Sequence, residues 1–218
     1  MELECPQTGD QCLESLFANY PDLRLCKTEI LVARDLLTGA FRSGAKLLIC
    51  GNGGSAADAE HIVGELMKSF RFKRPVDSSF LESYRRVNGD EVPAWLEGSL
   101  PAVSLVSQTA LATAFCNDEN AVGLFAQQVY GYARSGDILL AISTSGNSKN
   151  VIEAAKVARA KSVKVIALTG VSESKLSLLA DVCIRVPRKE VFRVQELHLP
   201  VYHALCAAVE ADLFGGKE

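Results

Sequence analysis

The sequence has few of the features that mark secreted, membrane or nucleic-acid-binding proteins. In 218 residues, no apolar run approaches the roughly 18 residues that a transmembrane helix needs. The acidic start at residues 1–4 lacks a signal-peptide pattern. Lys and Arg number 23 against 26 Asp and Glu, without a basic block, so nucleic acid is not favoured as a partner. We therefore expect a cytoplasmic protein that binds neither membrane nor nucleic acid.

The cysteines lack any arrangement that would indicate a metal ribbon or a redox motif. Their number, seven, is odd, and no two form a C-x-x-C pair. We interpret them as reduced, small hydrophobic residues of a cytosolic protein. A catalytic cysteine is the alternative. Cys50 and Cys116 border the segments that we interpret as a candidate functional site, but the sequence assigns no base to either.

Apolar runs alternate with small polar loops and helical patterns along a chain that we expect to be one domain, residues 1–218. This alternation predicts an α/β fold with a parallel sheet and right-handed crossovers. The predicted strands are 46–50, 100–106, 138–142, 163–168 and 182–186. The predicted helices are two between residues 10 and 43, then 55–70, 151–160 and 193–214. In such sheets ligands bind at the carboxyl ends of the strands.

Residues 71–99 depart from this pattern and are interpreted as an insertion between a helix and the second strand. The segment mixes basic residues with proline and glycine, and it holds the only tryptophan, Trp95. Phe80, Leu81 and Tyr84 predict one or two helical turns. A connection of this length is often a lid or an interface element, and a plain solvated loop is the alternative.

A glycine-rich loop, residues 51–55 with the sequence GNGGS, follows the first strand. Glycine lets the backbone approach an anion, and we expect Ser55 to cap the next helix, whose free N–H groups favour phosphate. Gly51, Gly53 and Ala56 also fit a dinucleotide fingerprint. That reading needs an acidic residue about 20 positions further on. The chain is basic there and has no Walker lysine, so nucleotide binding is the weaker alternative.

A second loop, residues 143–148 with the sequence STSGNS, follows the third strand. Its four hydroxyl groups lie beside backbone N–H groups at a helix start, a set that can saturate the oxygens of a phosphate. The hydroxyls belong to Ser143, Thr144, Ser145 and Ser148. An ordinary turn with a helix cap is the alternative, but the glycine loop beside it in a parallel sheet favours phosphate.

All three histidines, His61, His198 and His203, lie near these motifs. His61 and Glu65 are four residues apart and share a helix face, so they are plausible zinc ligands, although a solvated pair would look the same. Gln195 and His203 lie roughly 12 Å apart along a helix. They converge on one ion only if their side chains lean together; otherwise a neighbouring chain supplies one of them. His198 is interpreted as structural.

In order and spacing, these motifs resemble the SIS (sugar isomerase) domain family and, more closely, the phosphoheptose isomerases. The resemblance extends from about residue 30 onward and rests on residues 50–55, His61, Glu65, Asn117, Asp118, 142–148, 193–196 and His203. It implies a flavodoxin-like three-layer sandwich, with a five-stranded parallel sheet between helices and N-terminal helices added. It also implies a homotetramer with active sites at subunit interfaces and one zinc ion per subunit.

The resemblance also implies roles for individual residues. Zinc would be held by His61, Glu65, Gln195 and His203. The sugar phosphate would be bound by Asn52, Gly53, Gly54, Ser55, Glu65, Asn117, Asp118, Ser143, Thr144, Ser145, Ser148 and Gln195. Our hypothesis makes Glu65 and His203 the acid–base pair. Two departures affect the sugar contacts: the insertion is longer than in bacterial members of the family, and Ser69 stands where many members carry arginine. Lys68 or Arg71 could substitute for that arginine.

The implied reaction converts D-sedoheptulose 7-phosphate to D-glycero-D-manno-heptose 7-phosphate through an enediol or enediolate, the first step toward ADP-heptose and lipopolysaccharide. Two alternatives stay open at this point. Some proteins that resemble this family bind the replication initiator and are not isomerases, but they lack counterparts of Glu65 and His203. An isomerase that acts on another sugar phosphate is the second alternative.

Overall fold

The computed structural model describes residues 8–215, which contain one five-stranded sheet. The strands are β1 (Leu47–Cys50), β2 (Ala102–Ser104), β3 (Ile138–Ile142), β4 (Lys164–Thr169) and β5 (Val182–Arg185). All neighbouring strands are parallel, in the order β2-β1-β3-β4-β5. This is the flavodoxin-like order, so the predicted fold class is confirmed.

The helices are α1 (Gly9–Asn19), α2 (Lys27–Arg42), α3 (Gly54–Met67), α4 (Ser78–Asn88), α5 (Thr109–Asp118), α6 (Leu124–Tyr132), α7 (Lys149–Ala160), α8 (Lys175–Leu179) and α9 (Val191–Phe214). The predicted N-terminal pair is confirmed, with a short 3-10 helix, Pro21–Cys26, between its members. Helix α3 ends at Met67, three residues earlier than predicted, and β2 is three residues long, shorter than the predicted seven. Helices α5, α6 and α8 were not predicted. Within residues 8–215, no helix has both the length and the apolar character needed to cross a membrane.

The central strands β1, β3 and β4 are buried on both faces, which explains why they appear in the sequence as continuous apolar runs. Leu47 and Ile49 of β1 pack on one side of the sheet, in a core shared with α1, α2, α3 and α9. Leu48 and Cys50 point to the other side, where they pack with α6 and α7. The alternation follows from the period of two along a strand. The resulting three layers are helices, sheet and helices.

The insertion lies between α3 and β2, and its two ends are held close together. Gly98 donates a backbone hydrogen bond to Arg74 (2.9 Å), and Leu100 donates one to Leu66 at the end of α3 (2.9 Å). Between them, α4 makes about three turns, more than predicted, and the Asp77 side chain caps its first turn. None of the α4 residues is buried. The insertion therefore leaves and rejoins the domain at one place, beside the carboxyl end of α3.

The sheet order creates a switch point between β1 and β3. From β1 the chain proceeds to β2 on one side, and later returns to place β3 on the other side of β1. At such a point the connections diverge to opposite faces of the sheet and leave a crevice where ligands bind. The glycine loop follows β1 and the serine loop follows β3, so both predicted anion loops border this crevice.

Candidate functional site

The glycine loop turns sharply into α3. Gly53 is the N-cap residue with φ of +58°, a left-handed conformation that favours glycine. The expected Ser55 cap is wrong: the helix begins at Gly54, so Ser55 falls inside the first turn and is buried. A Cβ atom at Gly54 would lie 2.5 Å from Nε2 of Gln195. Glycine at this position thus lets the Gln195 amide of α9 rest against the start of α3.

The serine loop leads from β3 into the twelve-residue helix α7. The hydroxyl oxygens of Ser143 and Ser148 are 3.0 Å apart, and the hydroxyl of Ser145 accepts a hydrogen bond from the Asn147 backbone (3.1 Å). Ser148 is the N-cap residue of α7 but makes no side-chain capping bond. Thr144 is half-buried in the same loop. Hydroxyl groups and a helix N-terminus therefore meet in one place, which suits an anion.

The two loops are linked by a pair of side-chain amides. Asn52 donates to Asn150 and Asn150 donates back to Asn52, each at 2.9 Å. The link joins the glycine loop to the first turn of α7 and holds the starts of two helices side by side. Sequence reasoning did not single out Asn150, because an asparagine in a first helical turn has no distinctive local pattern.

Three predicted metal ligands lie together. His61 Nε2 is 3.0 Å from Glu65 Oε1 on the next turn of α3, and 3.4 Å from His203 Nε2 on α9. One nitrogen or oxygen atom from each of the three lies within 4.8 Å of the others. Within residues 8–215, no other group of three or more His, Cys, Asp or Glu side chains is placed in this way. All three side chains belong to the same chain.

The donor set fits a zinc ion. In a tetrahedral site with zinc–nitrogen bonds of 2.0–2.1 Å, neighbouring ligand atoms are roughly 3.3 Å apart. The His61–Glu65 and His61–His203 distances, 3.0 and 3.4 Å, are close to this value, and all three atoms lie within 4.8 Å of one another. Two imidazoles and a carboxylate are ligands that zinc commonly takes. Burial, and then the neighbouring His61, lower the pKa of His203, which favours the neutral form that binds metal.

The other predicted substrate residues do not join this cluster through contacts within one chain. Gln195 lies against Gly54, and within the described residues its side chain makes no hydrogen bond. Asn117 and Asp118 lie exposed at the end of α5. Their one side-chain hydrogen bond in the described part of the chain joins them to each other (2.8 Å).

A buried tyrosine, Tyr202, contacts His61 of the cluster, and the sequence analysis did not single it out. The Tyr202 hydroxyl lies 3.0 Å from Nδ1 of His61, on the side of the ring that faces away from Glu65. Burial, and then the nearby Asp58 carboxylate, raise the pKa of Tyr202. Burial likewise raises the pKa of Asp58. These groups come together only because α3 packs against α9, which places residue 202 beside residues 58, 61 and 65.

A buried ion pair holds the end of α3 near the cluster. Arg74 Nε and Glu210 Oε1 are 2.8 Å apart, and both side chains are fully buried. Glu210 also accepts hydrogen bonds from the backbone N–H groups of residues 70 and 71, at 2.8 and 2.7 Å. The guanidinium donates to the carbonyl oxygens of Leu66 and, at 3.0 Å, Glu65. One arginine therefore donates to two carbonyl groups at the end of the helix, where no intrahelical donor is left; the Leu66 carbonyl also accepts from Leu100.

The insertion contributes a carboxylate to the segment that follows α3. Glu97 accepts hydrogen bonds from the backbone and the hydroxyl of Ser69, at 2.9 and 2.6 Å, and these bonds lower its pKa. The Lys68 ammonium donates to the Ser69 carbonyl (3.0 Å), and Arg71 stacks on Phe72. The place expected for an arginine is thus occupied by a serine bound to an acidic residue of the insertion.

Burial answers two questions that the sequence left open, whether Cys50 is a nucleophile and whether His198 is structural. Cys50 is fully buried, and burial raises its pKa to about 12, so it is not a nucleophile. Cys116 is exposed, and within the described residues Cys26, Cys50, Cys116, Cys183 and Cys206 form no disulfide. His198 is fully buried, in agreement with a structural role.

The fold and the site together define an α/β domain with two loops suited to an anion at the β1–β3 switch point and a histidine–carboxylate cluster on the helix that follows the first loop. Comparison with known proteins gives this class a name. The chain belongs to the phosphoheptose isomerases of the SIS domain family, whose pattern matches residues 24–92 and 84–170.

Relatives and solved structures agree on this assignment. The chain is 36% identical to the phosphoheptose isomerase of Aneurinibacillus thermoaerophilus, over 97% of this chain and 93% of the relative. It is 41% identical to that of Thiobacillus denitrificans, over 84% and 83% of the two chains. The structure of the phosphoheptose isomerase from Neisseria gonorrhoeae superimposes with a TM-score of 0.68 at 32% identity, covering 90% of this chain and 97% of that one.

Proposed function

We propose that this protein is an aldose–ketose isomerase that converts D-sedoheptulose 7-phosphate to D-glycero-D-manno-heptose 7-phosphate through an enediol or enediolate. Relatives that are 35–41% identical bear the name phosphoheptose isomerase. The observation that carries the proposal is the convergence of His61, Glu65 and His203 on one helix pair. Helix α3 begins at the glycine loop, so the cluster lies roughly two turns, or 10 Å, from an anion site.

The phosphate group would be anchored by the serine loop. The hydroxyls of Ser143, Thr144, Ser145 and Ser148 supply donors, and the N-terminus of α7 favours negative charge. The glycine loop, with Asn52, would contact the sugar. Binding energy from the phosphate, which does not react, would fix the first two carbons of the sugar against the cluster.

The residues of the cluster would hold zinc, with Gln195 as the fourth ligand if its amide turns away from Gly54. When bound, the metal would supply Lewis-acid polarisation of the oxygens on the two reacting carbons. Glu65 would remove the proton from C1 of the ketose and return it to C2. His203 would donate and accept the proton that moves between the two oxygens.

The homotetramer and the surroundings of the reaction are part of the same proposal. Helix α5 buries none of its residues and ends with Asn117 and Asp118, which would reach a site across a subunit interface. The product would be the precursor of ADP-heptose for lipopolysaccharide, made in the cytoplasm. The mass of the protein in solution tests the assembly.

The test is isomerisation of sedoheptulose 7-phosphate by the purified protein, after chelation and again after zinc is added. We expect aldose formation that chelation abolishes and zinc restores. Glu65→Gln should abolish turnover and leave sugar-phosphate binding mostly intact. Glu60→Gln, on an exposed face of the same helix, is the matched control and should remain active.

Each outcome has a definite meaning. Activity that survives thorough metal removal would retain the isomerase and make His61 and Gln195 contacts to the substrate. Turnover by Glu65→Gln at the wild-type rate would remove Glu65 from the acid–base pair. No isomerisation under any of these conditions would overturn the proposed reaction and direct attention to another sugar phosphate or to the regulator alternative.

A further inference from the structure

The two nitrogen atoms of His61 face different surroundings. Nε2 faces Glu65 at 3.0 Å and His203 at 3.4 Å, whereas Nδ1 faces the Tyr202 hydroxyl at 3.0 Å. A neutral imidazole carries its proton on one nitrogen and accepts through the other. The tautomer therefore decides whether Nε2 offers a lone pair to the cluster or a proton to Glu65. The hydroxyl of Tyr202 is the group that can set it.

The direction of the Tyr202 hydrogen bond follows from its second neighbour. The Asp58 carboxylate is close enough to the same hydroxyl to raise the pKa of Tyr202, and within the described residues its Oδ2 atom is buried without a hydrogen-bond partner. A carboxylate only accepts, so it attracts the single hydroxyl proton of Tyr202. The oxygen of Tyr202 then has a lone pair left for a proton on Nδ1 of His61.

Glu65 would favour the opposite tautomer, and burial decides between the two carboxylates. The Tyr202 ring is 2% exposed, so water cannot satisfy an unpaired group on this side. The side chain of His61 is 44% exposed, and water can solvate the Nε2–Glu65 side. A buried unpaired oxygen costs more than an exposed pair contributes, so the Asp58 side prevails.

We infer that Tyr202, oriented by Asp58, is a positioning residue that accepts the Nδ1 proton of His61 and directs the unprotonated Nε2 toward Glu65 and His203. This inference rests on the proposed metal-dependent isomerase and deepens it. Groups that orient ligand histidines in this way fix the tautomer and raise ligand basicity. The alternative role of Tyr202 is packing alone, because its ring lies in the core formed by α3 and α9. Phenylalanine would fulfil that role equally well.

The first experiment reads the tautomer directly in the wild-type protein. Long-range proton–nitrogen NMR correlations on the ¹⁵N-labelled, metal-free protein at pH 8 would contain signals from three histidines, and His61→Gln would assign the one of interest. We expect the proton of His61 on Nδ1. A proton on Nε2 would overturn the inference whether or not the protein binds zinc.

The second experiment measures zinc affinity by competition with a chromophoric chelator. Tyr202→Phe should weaken binding by roughly 10- to 100-fold, the range found when groups that orient a metal ligand are removed. Asp58→Asn should also weaken it, because an amide can donate to the Tyr202 oxygen and turn the hydroxyl proton toward His61. Tyr132→Phe, on the exposed surface of α6, is the control and should bind as the wild type does.

The outcomes separate the inference from the proposed function. Wild-type protein that binds no zinc would overturn the metal site. The NMR measurement of the His61 tautomer would then be the one test of the role of Tyr202. Wild-type binding with an unchanged affinity in Tyr202→Phe would overturn the inference and leave the isomerase proposal standing. Thermal unfolding of each metal-free variant checks that a lost affinity does not reflect a lost fold.

Discussion

Breaking the buried ion pair at the end of α3 should be among the most damaging single changes to this domain. We consider Glu210→Met, which replaces the carboxylate side chain with an apolar one of similar size. In the native protein this carboxylate accepts from Arg74 and from the backbone N–H groups of residues 70 and 71. After the substitution, the guanidinium is a buried charge without its counterion, and both N–H groups lose their acceptor.

The size of the effect can be worked from these contacts. Both side chains of the pair are 0% exposed, so the discount for solvent screening that applies to surface pairs does not arise. Removing one partner of a buried pair costs about 3–5 kcal/mol. In a domain of this size, each kcal/mol lowers the melting temperature by roughly 2–4 °C. We therefore expect the melting temperature to fall by roughly 6–20 °C.

A double substitution sharpens the test. Arg74→Met with Glu210→Met leaves no unpaired charge, so the double variant should be more stable than Glu210→Met alone. It should not regain wild-type stability, since the Glu65 carbonyl oxygen loses the Arg74 donor and the two N–H groups lose their acceptor, although the Leu66 carbonyl keeps its bond from Leu100. Unpaired buried groups of this kind cost about 1–3 kcal/mol each.

The assay is thermal and urea unfolding followed by circular dichroism, at one protein concentration and with chelator present to exclude stabilisation by metal. Glu153→Gln, which breaks an exposed pair with Lys156 on α7, is the matched control. It should change the free energy of unfolding by less than about 1 kcal/mol. A loss below about 1 kcal/mol in Glu210→Met, within the range of a surface pair, would refute the reasoning.

Two further predictions concern His198 and Asn150. Burial lowers the pKa of His198 to about 4 from 6.5, an effect that the Thr169 backbone partly offsets. Its neutral form thus stabilises the fold fully above pH 6.5 and loses this contribution as the pH falls toward 4, about 3 kcal/mol in all. The free energy of unfolding should fall less steeply over this interval in His198→Gln, and equal slopes would contradict the assignment. Asn150→Ala removes the amide link to Asn52 and should raise KM by roughly 2- to 10-fold with little change in kcat; an unchanged KM in steady-state kinetics would show that the link does not order the loops.

The sequence predicted those elements whose pattern depends on their own burial. Strands β1, β3, β4 and β5 begin and end within one residue of their predicted ranges, because a strand that buries most of its residues reads as an apolar run. Helix α5 was missed because it buries none of its residues and so shows no apolar stripe on one face. Helix α4 also buries none of its residues, and Phe80, Leu81 and Tyr84 predicted only one or two of its turns.

Part of the candidate site could likewise be predicted from the sequence, and part could not. The four-residue spacing of His61 and Glu65 is enough to predict that they share one helix face. The sequence left open whether His203 and Gln195 come from the same chain, and the structure answers this for His203 alone. The roles of these residues, the zinc ion, the tetramer and the cytoplasmic location stay predictions.

By itself, the sequence determined the α/β class, the position of the two polar loops at strand ends and the family; that these loops bind an anion stays a prediction. These features are encoded in local sequence patterns and in the order of motifs along the chain, and both can be recognised without knowing any tertiary contact. Only the tertiary structure decided which groups orient the cluster. His61 meets Tyr202 across 141 residues and Arg74 meets Glu210 across 136, through the packing of α3 and the segment after it against α9. No local pattern records a contact over that separation, because it depends on how distant segments pack against each other.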